Sequence, residues 1–435
     1  MPSRAPKLSF IFFTLLLDVL GFGLLIPVAP KLVERFLGLP EYGAEGQAAW
    51  AVGGLAATYA VMQFIFAPIL GSLSDRFGRR PVILISLFGS GLDYLAAAAA
   101  AVWFPHIWIL FITRIINGIS GANISACNAY IADVTPPDKR AAGYGMMGAA
   151  FGLGFMFGPL LGGVLGDPNV NLPLIGPGQL HYPFIAAGLL TLANWLYGYF
   201  VLPESLAEEN RRPFSWAKSS SLGAFRWLSG HRVVLVLACS LFLLNIAQFG
   251  LHVTWVLSMS NRFAWTPAQV GWSLFTVGIT SAIVQGFLAR KIIPVLGERA
   301  CLVGGLLIAV CAFLGYAFAP EPWMIYAIIA VASLGGVSQP ALQSITTKAI
   351  PATEQGLLQG SLAALSSIAT IIGALLGSQV FAFFTKPGAP VHFAGAPFVS
   401  GAILALAALV PILMIWKRLP SSVKAAPVEG DSVVP

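Results

Sequence analysis

The sequence predicts an all-α membrane protein of twelve transmembrane helices in two pseudo-symmetric six-helix halves, and three observations predict it. Only 9% of the 435 residues are charged, 24 Lys or Arg and 17 Asp or Glu, against 57% hydrophobic residues and a mean hydropathy of +0.82. A soluble surface of this size needs roughly 25% charge. A soluble globular fold is therefore excluded, as are disorder, coiled coil and collagen, which need a polar or periodic composition. The apolar residues are gathered into stretches of about 20 or more, the length that crosses a bilayer. The longest hydrophilic interruption, 203 to 231, divides those stretches six and six.

The first stretch, 8 to 30, follows Arg4 and Lys7 and imitates a secretory signal. It is longer than a signal's apolar region and lacks a small-x-small cleavage site, so it reads as an uncleaved first span. The next five run near 48 to 72, 82 to 104, 107 to 131, 141 to 166 and 181 to 202. The second set runs near 232 to 258, 268 to 290, 300 to 319, 322 to 347, 355 to 384 and 394 to 416. The expected organisation is an N-terminal half over 1–202, a cytoplasmic linker over 203–231, a C-terminal half over 232–420 and a disordered tail over 421–435. Loops on the side of the N-terminus carry nineteen of the 24 basic residues, while the opposite loops carry Lys31, Arg35, Arg262 and Lys386. Both termini are thus expected in the cytoplasm. The halves also repeat. Gly71-Ser-Leu-Ser-Asp75-Arg76-Phe-Gly78-Arg79-Arg80 follows the second span, and a Gly-rich basic loop from Gly286 to Arg299 follows the eighth. Such duplication marks carriers that bind substrate near the midplane between two halves.

The remaining charges and polar groups carry the chemistry. An ionisable side chain in the hydrocarbon region costs several kcal/mol and needs a reason. Asp18 in span one, Asp93 in span three and Arg114 in span four lie too deep to be solvated from a loop, whereas Asp133 lies near a span end and reads as partly structural. A low-dielectric cavity favours the protonated form of a carboxylate, and an arginine stays charged and opposes that effect when it approaches. A moving Asp and Arg pair can therefore couple protons to a conformational change. The second half offers one imidazole, His252, and the amides Gln248, Gln285, Gln339, Gln343, Gln359 and Gln379 instead. Of the polar groups, Gln63, Asn117, Gln248, His252, Gln339 and Gln343 are the candidate substrate ligands, with helix-to-helix hydrogen bonding as the competing role for each. In span five Gly154, Gly158 and Gly162 line one helix face, with Gly163 beside them, and Pro159 is expected to kink the span. Cys127, Cys239, Cys301 and Cys311 lie inside apolar stretches with no CxxC and no nearby His pair, so they read as small apolar residues. No basic run interleaved with aromatics stands in a soluble-looking segment, so no nucleic acid is expected.

These motifs resemble a known family. Gly71-x-Leu73-x-Asp75-Arg76-x-Gly78-Arg79-Arg80 resembles the loop signature of the major facilitator superfamily, and Arg114-Ile-Ile-Asn-Gly118 resembles its fourth-helix arginine motif. Gly154-x-x-x-Gly158-Pro159-x-x-Gly162-Gly163 resembles the fifth-helix motif of its proton-coupled antiporters. Leu17-Asp18-x-x-Gly21-x-Gly23, Asp93-Tyr94, Ala129-Tyr130-Ile-Ala-Asp133, Leu202-Pro203-Glu204-Ser205 and Pro340-Ala-Leu-Gln343 narrow the likeness to the tetracycline-resistance exporters, across essentially the whole chain. Two positions depart from that group. Ala264 stands in Arg262-Phe263-Ala264-Trp265 where close exporters have histidine, and Ala309 stands where they carry a ninth-helix carboxylate.

The resemblance implies a major facilitator fold and export of a drug-like, tetracycline-like amphipathic solute in exchange for protons by alternating access. It assigns proton coupling to Asp18, Asp93 and Arg114 and a cytoplasmic gate to Gly71, Asp75, Arg76, Gly78, Arg79 and Arg80. The competing readings are an exporter of an endogenous metabolite or siderophore, or a proton-coupled nutrient importer of the same fold. An enzyme is not expected, because no His, Cys or carboxylate cluster has catalytic or metal-ligand spacing. No cofactor or metal is expected beyond the proton gradient. The expected partners are the solute, protons and the lipid bilayer, the expected state is a monomer, and the expected place is a bacterial inner membrane.

Overall fold

The computed structural model describes residues 8–40, 43–135, 140–173, 175–211, 232–348, 350 and 355–416. Most of the expected linker and the whole tail over 421–435 lie outside the described residues. Among the described residues eleven helices are long and apolar enough to cross a membrane, or twelve when the bent pair Leu8–Leu25 and Ala29–Phe36 is one span. That pair meets at a bend of 48°. Pro27 and Pro30 supply the cause, since each removes a backbone donor from the helical ladder. The first span, expected near 8 to 30, is thus helix to Leu25 and continues after the bend to Phe36.

The other spans are Glu45–Phe77, Arg79–Trp103, Ile107–Val134, Arg140–Gly166 and Tyr182–Val201 in the first half. The second half has Arg232–Phe263, Pro267–Leu296, Glu298–Phe318, Pro322–Lys348, Gln355–Thr385 and Ala396–Met414. Spans four and ten are each interrupted at a matching place. The helix pauses at Ala122–Asn123 in one, and Gly335–Val337 tightens to a 3-10 turn in the other. Span eight contains a π-turn over Val284–Leu288, and span five continues as helix through Pro159. A small antiparallel hairpin, Asn171–Leu172 with Gly176–Pro177, links spans five and six. The sequence reading contains no strand there.

Large apolar side chains such as Trp103, Trp108, Phe200, Phe287, Trp323 and Met414 are exposed, which fits helices surrounded by lipid. Inside, glycines set the helix spacing. A Cβ on Gly154 would meet Val19 at 2.8 Å, and one on Gly158 would meet the Gly23 backbone at 2.8 Å. One on Gly162 would strike the Leu24 carbonyl. Span five therefore lies backbone to backbone against span one. The second half repeats the arrangement between spans seven and eleven, where a Cβ on Gly377 would stand 2.8 Å from Gly250.

The opposite face of span five meets span eight. A Cβ on Gly278 would approach Met156 at 2.7 Å, one on Gly271 would approach the Pro159 carbonyl at 2.6 Å, and one on Gly163 would strike that of Pro267. Following this face back towards Gly152, Gly148 and Gly145, a Cβ meets nothing within 4 Å. Span eleven behaves alike: Gly53 is pressed against Ser378, while Gly360 faces open space. The halves are thus joined at one end and parted at the end that carries the basic loops.

Introducing a side chain into the one–five contact forces two backbones apart, so Gly158→Leu is expected to destabilise the fold by about 1–3 kcal/mol. Gly148→Ala, in open space within a helix, is expected to raise stability by up to about 1 kcal/mol. Thermal unfolding of the purified protein in detergent checks both.

Candidate functional site

The three intramembrane charges converge inside the first half. Asp93 is 3% exposed, and both of its carboxylate oxygens are buried without a hydrogen-bond partner. Arg114 lies within electrostatic reach and the Asn117 amide approaches the carboxylate, but no well-formed hydrogen bond or ion pair satisfies either oxygen. An uncompensated charge in that setting is costly, so the group needs either a proton or an approaching cation. Asp18 is half-buried within electrostatic reach of Tyr59, Tyr94 and Cys127, and the Arg114 charge reaches the same two tyrosines. One polar cluster therefore joins spans one to four.

Gln63 is already engaged. Its amide donates to the Tyr59 hydroxyl at 2.9 Å and to the Gly121 carbonyl at 3.3 Å, tying span two to the interruption in span four. Phe22 stacks on Tyr59 with centroids 5.7 Å apart, which closes the cluster towards span one.

The polar groups of the second half fall in two places. Gln248 and His252 are exposed one turn apart on span seven, with Phe249 set edge to face against the His252 ring at 5.8 Å. Gln339 and Gln343 lie one turn apart beyond the 3-10 turn of span ten. With Gln285, Arg290, Ile293 and Pro294 they line a cavity of about 650 Å³. Gln285 is carried by the π-turn of span eight, and such turns recur at functional sites. The volume lies in the range of small-molecule pockets, about 300–1,000 Å³.

At the basic end the expected gate residues bind within their own half. Gly78 turns the chain at φ +101°, a value that favours glycine, and starts span three. Arg79, 7% exposed, pairs with Asp75, donates to Ser74 at 2.7 Å and reaches Asp133 at 3.1 Å. Arg80 donates to the Tyr199 carbonyl at 2.7 Å, Arg76 lies over the Phe77 ring, and Gly71 packs against Ser125. The organising residue was quoted in the sequence only as part of the family likeness. Glu204 accepts the backbone N–H of Arg79 at 2.8 Å, Arg80 at 3.2 Å, Ser205 at 3.0 Å and Leu206 at 3.1 Å. It satisfies the free donors at the start of span three and supplies a negative charge where the helix dipole favours one.

The joined end holds the residues that sequence reasoning missed. Lys31 pairs with Glu34 at 3.0 Å and Glu45 at 3.5 Å, with all three nearly buried. Glu45 in turn accepts the Asn261 amide at 3.1 Å, crossing from the first half to the second. Asp167, 2% exposed, accepts the backbone N–H of Ala268 at 3.2 Å and so caps span eight from across the divide. The available signal was charge rarity: acidic residues beside span ends on a side with only four basic residues. Ala264 is here too, at the end of span seven, with φ +52° and its N–H on the Ser260 carbonyl at 2.9 Å. The four cysteines are free, and no group of three metal-binding side chains occurs among the described residues.

The sequence profile described as the Major Facilitator Superfamily matches residues 11–258 and 237–434. The class C tetracycline resistance protein of Escherichia coli is 35% identical over 410 residues, covering 94% of this chain and 97% of its own length. The class E protein of Escherichia coli is 37% identical over 373 residues, covering 84% of this chain and 85% of its own. Among solved structures, the human organic anion transporter MFSD10 (TETRAN) is similar with a TM-score of 0.65 at 27% identity, over 93% of this chain and 98% of that one.

Two outcomes are expected at the joined end. Asp167→Ala removes a charge-assisted bond worth about 1.5 kcal/mol, so a Ser378→Cys probe buried between spans two and eleven should react with an impermeant maleimide roughly tenfold faster. Ala264→Gly relieves a left-handed backbone and should raise thermal stability by about 0.5–1 kcal/mol, read by unfolding in detergent.

Proposed function

This chain belongs to the major facilitator superfamily, and we propose that it is a proton-driven exporter of an amphipathic organic solute, working by alternating access in a bacterial inner membrane. The observation that carries the proposal is Asp93, buried without a partner beside Arg114 and Asn117. A carboxyl so placed holds a proton, or gives it up when Arg114 moves close enough to compensate the charge. Asp18 extends the path towards span five. In this reading the basic end is cytoplasmic, so the parted halves form an inward-facing state ready to load solute.

The loading wall is the second half. Gln285, Gln339 and Gln343 offer donors and acceptors, Arg290 offers a fixed positive charge, and Ile293, Pro294 and Pro340 offer apolar surface. That set suits a solute with an apolar body and an acceptor-rich or anionic edge. Relatives named for tetracycline resistance support the export direction, and the human relative named as an organic anion transporter agrees with the anionic edge. Ala264, at the joined end, and Ala309, in span nine, stand where close tetracycline exporters carry a histidine and a carboxylate, and in this reading Arg290 with three amides sets the preference. Proton entry from the opposite side drives the exchange.

Asp93→Asn is expected to abolish uptake driven by a proton gradient in inverted vesicles while keeping solute-for-solute exchange. Full gradient-driven uptake by this variant, or wild-type uptake with an uncoupler present, would refute the coupling. A growth-inhibition panel of tetracyclines and anionic amphiphiles, in a host without its own efflux pumps, identifies the solute. Arg290→Gln should lower resistance to the anionic members by about tenfold and spare neutral ones.

A further inference from the structure

The two halves carry matching gate nodes with their charges interchanged. Gly78 and Gly297 both turn the chain before a span, with φ +101°, ψ 157° and φ +80°, ψ 155°. The residue after the first is Arg79, and the residue after the second is Glu298. Arg79 reaches Asp133 in span four, while Glu298 reaches Lys348 in span ten at 2.6 Å and accepts the Ser344 hydroxyl at 2.6 Å. Asp133 and Lys348 are each the twenty-seventh residue of their spans, which begin at Ile107 and Pro322. Cation and anion have therefore exchanged places at both positions.

A third position follows the same logic. A cation at the first turn of a helix opposes the helix dipole, and a carboxylate there is favoured. Arg79 stands at the first turn of span three, where Glu204 covers the helix start and faces Gly78. Glu298 stands at the first turn of span nine and supplies the negative charge itself. The sequence shows the difference: Leu202-Pro203-Glu204-Ser205 closes span six, and Leu419-Pro420-Ser421-Ser422 follows span twelve. In sequence, a carboxylate follows the span that closes the half whose node begins with a cation, and none stands in the Leu-Pro-Ser-Ser run of the half whose node begins with an anion.

We propose that Glu298, Lys348 and Ser344 form a second gate node. It holds the basic ends of spans nine and ten as one unit while the halves rock together, as the Arg79 node does for spans two, three and four. Glu298 and Lys348 are positioning residues: they touch neither solute nor proton path and act through the loop between spans eight and nine. This inference rests on the alternating-access part of the proposed function and not on the proton or the solute.

The test is a charge-exchange cycle in the full chain, with the native cysteines replaced by serine and Gly145→Cys added. Residue 145 lies in open space on the face of span five that meets span eight further along. Labelling by an impermeant maleimide, without gradient or solute, reads closure at the basic end independently of coupling. Glu298→Lys and Lys348→Glu should each change the labelling rate by about three- to fivefold, and the double exchange should return it to within about twofold. Glu298→Gln and Lys348→Gln give the same reading by removing one charge without reversing it. Wild-type labelling in all the single variants, or a double exchange no better than its parents, overturns the node. A loss of thermal stability with unchanged labelling per folded molecule also overturns it, because the pair is then only a staple. The expected labelling shifts, found together with failed proton-driven uptake by the unmutated chain, support the node and count against the coupling proposal alone.

Discussion

How closely the backbone of span five can approach its neighbours governs the rest of the molecule. Within lipid there is no hydrophobic drive between helices, so association rests on close packing and small residues. Gly154, Gly158 and Gly162 bring span five against span one, and on the other face Gly163 faces Pro267 while Gly271 and Gly278 bring span eight in. The same helix thus fixes the first half internally and supplies the surface against which the second half packs. Bulk on the first face would separate elements of one half; bulk on the second would change how the halves meet.

Around that helix the polar groups divide by task. The unpartnered carboxyl of Asp93 lies in the first half, the amide wall with Arg290 lies in the second, and ion pairs collect at the two ends. At the joined end the contacts cross between halves, through Glu45 to Asn261 and Asp167 to Ala268. At the parted end the described pairs remain within a half. A contact made on only one side of the transition is the kind that sets the balance between two states.

Much of this was legible in the sequence, because a bilayer makes backbone satisfaction and charge burial so demanding that composition reveals the spans. Twelve apolar stretches, the six-and-six division and the superfamily likeness agree with the fold and its relatives. Asp18, Asp93 and Arg114 were visible as charges in the wrong solvent, and the structure brings them into one cluster. What was hidden depended on the third dimension. The bend at Pro27 lies inside a continuous apolar run, so hydropathy cannot see it. The roles of Glu204, Glu45 and Asp167 follow from which backbone donors they face, and residue identity carries no record of that. Gln63 was read as a candidate solute ligand from its type alone, and the sequence could not show that its donors face Tyr59 and Gly121.

The bond from Asp167 to span eight has a consequence for how such a protein can diversify. Its donor is a main-chain N–H, so any residue except proline at position 268 can supply it. Beyond small residues at Gly271 and Gly278, closure at that end asks for one polar side chain of the second half, Asn261. The surface facing the solute can therefore drift through many sequences while the hinge partner stays recognisable to the first half. A lineage built this way can change its cargo by point mutation without first having to reinvent its gate.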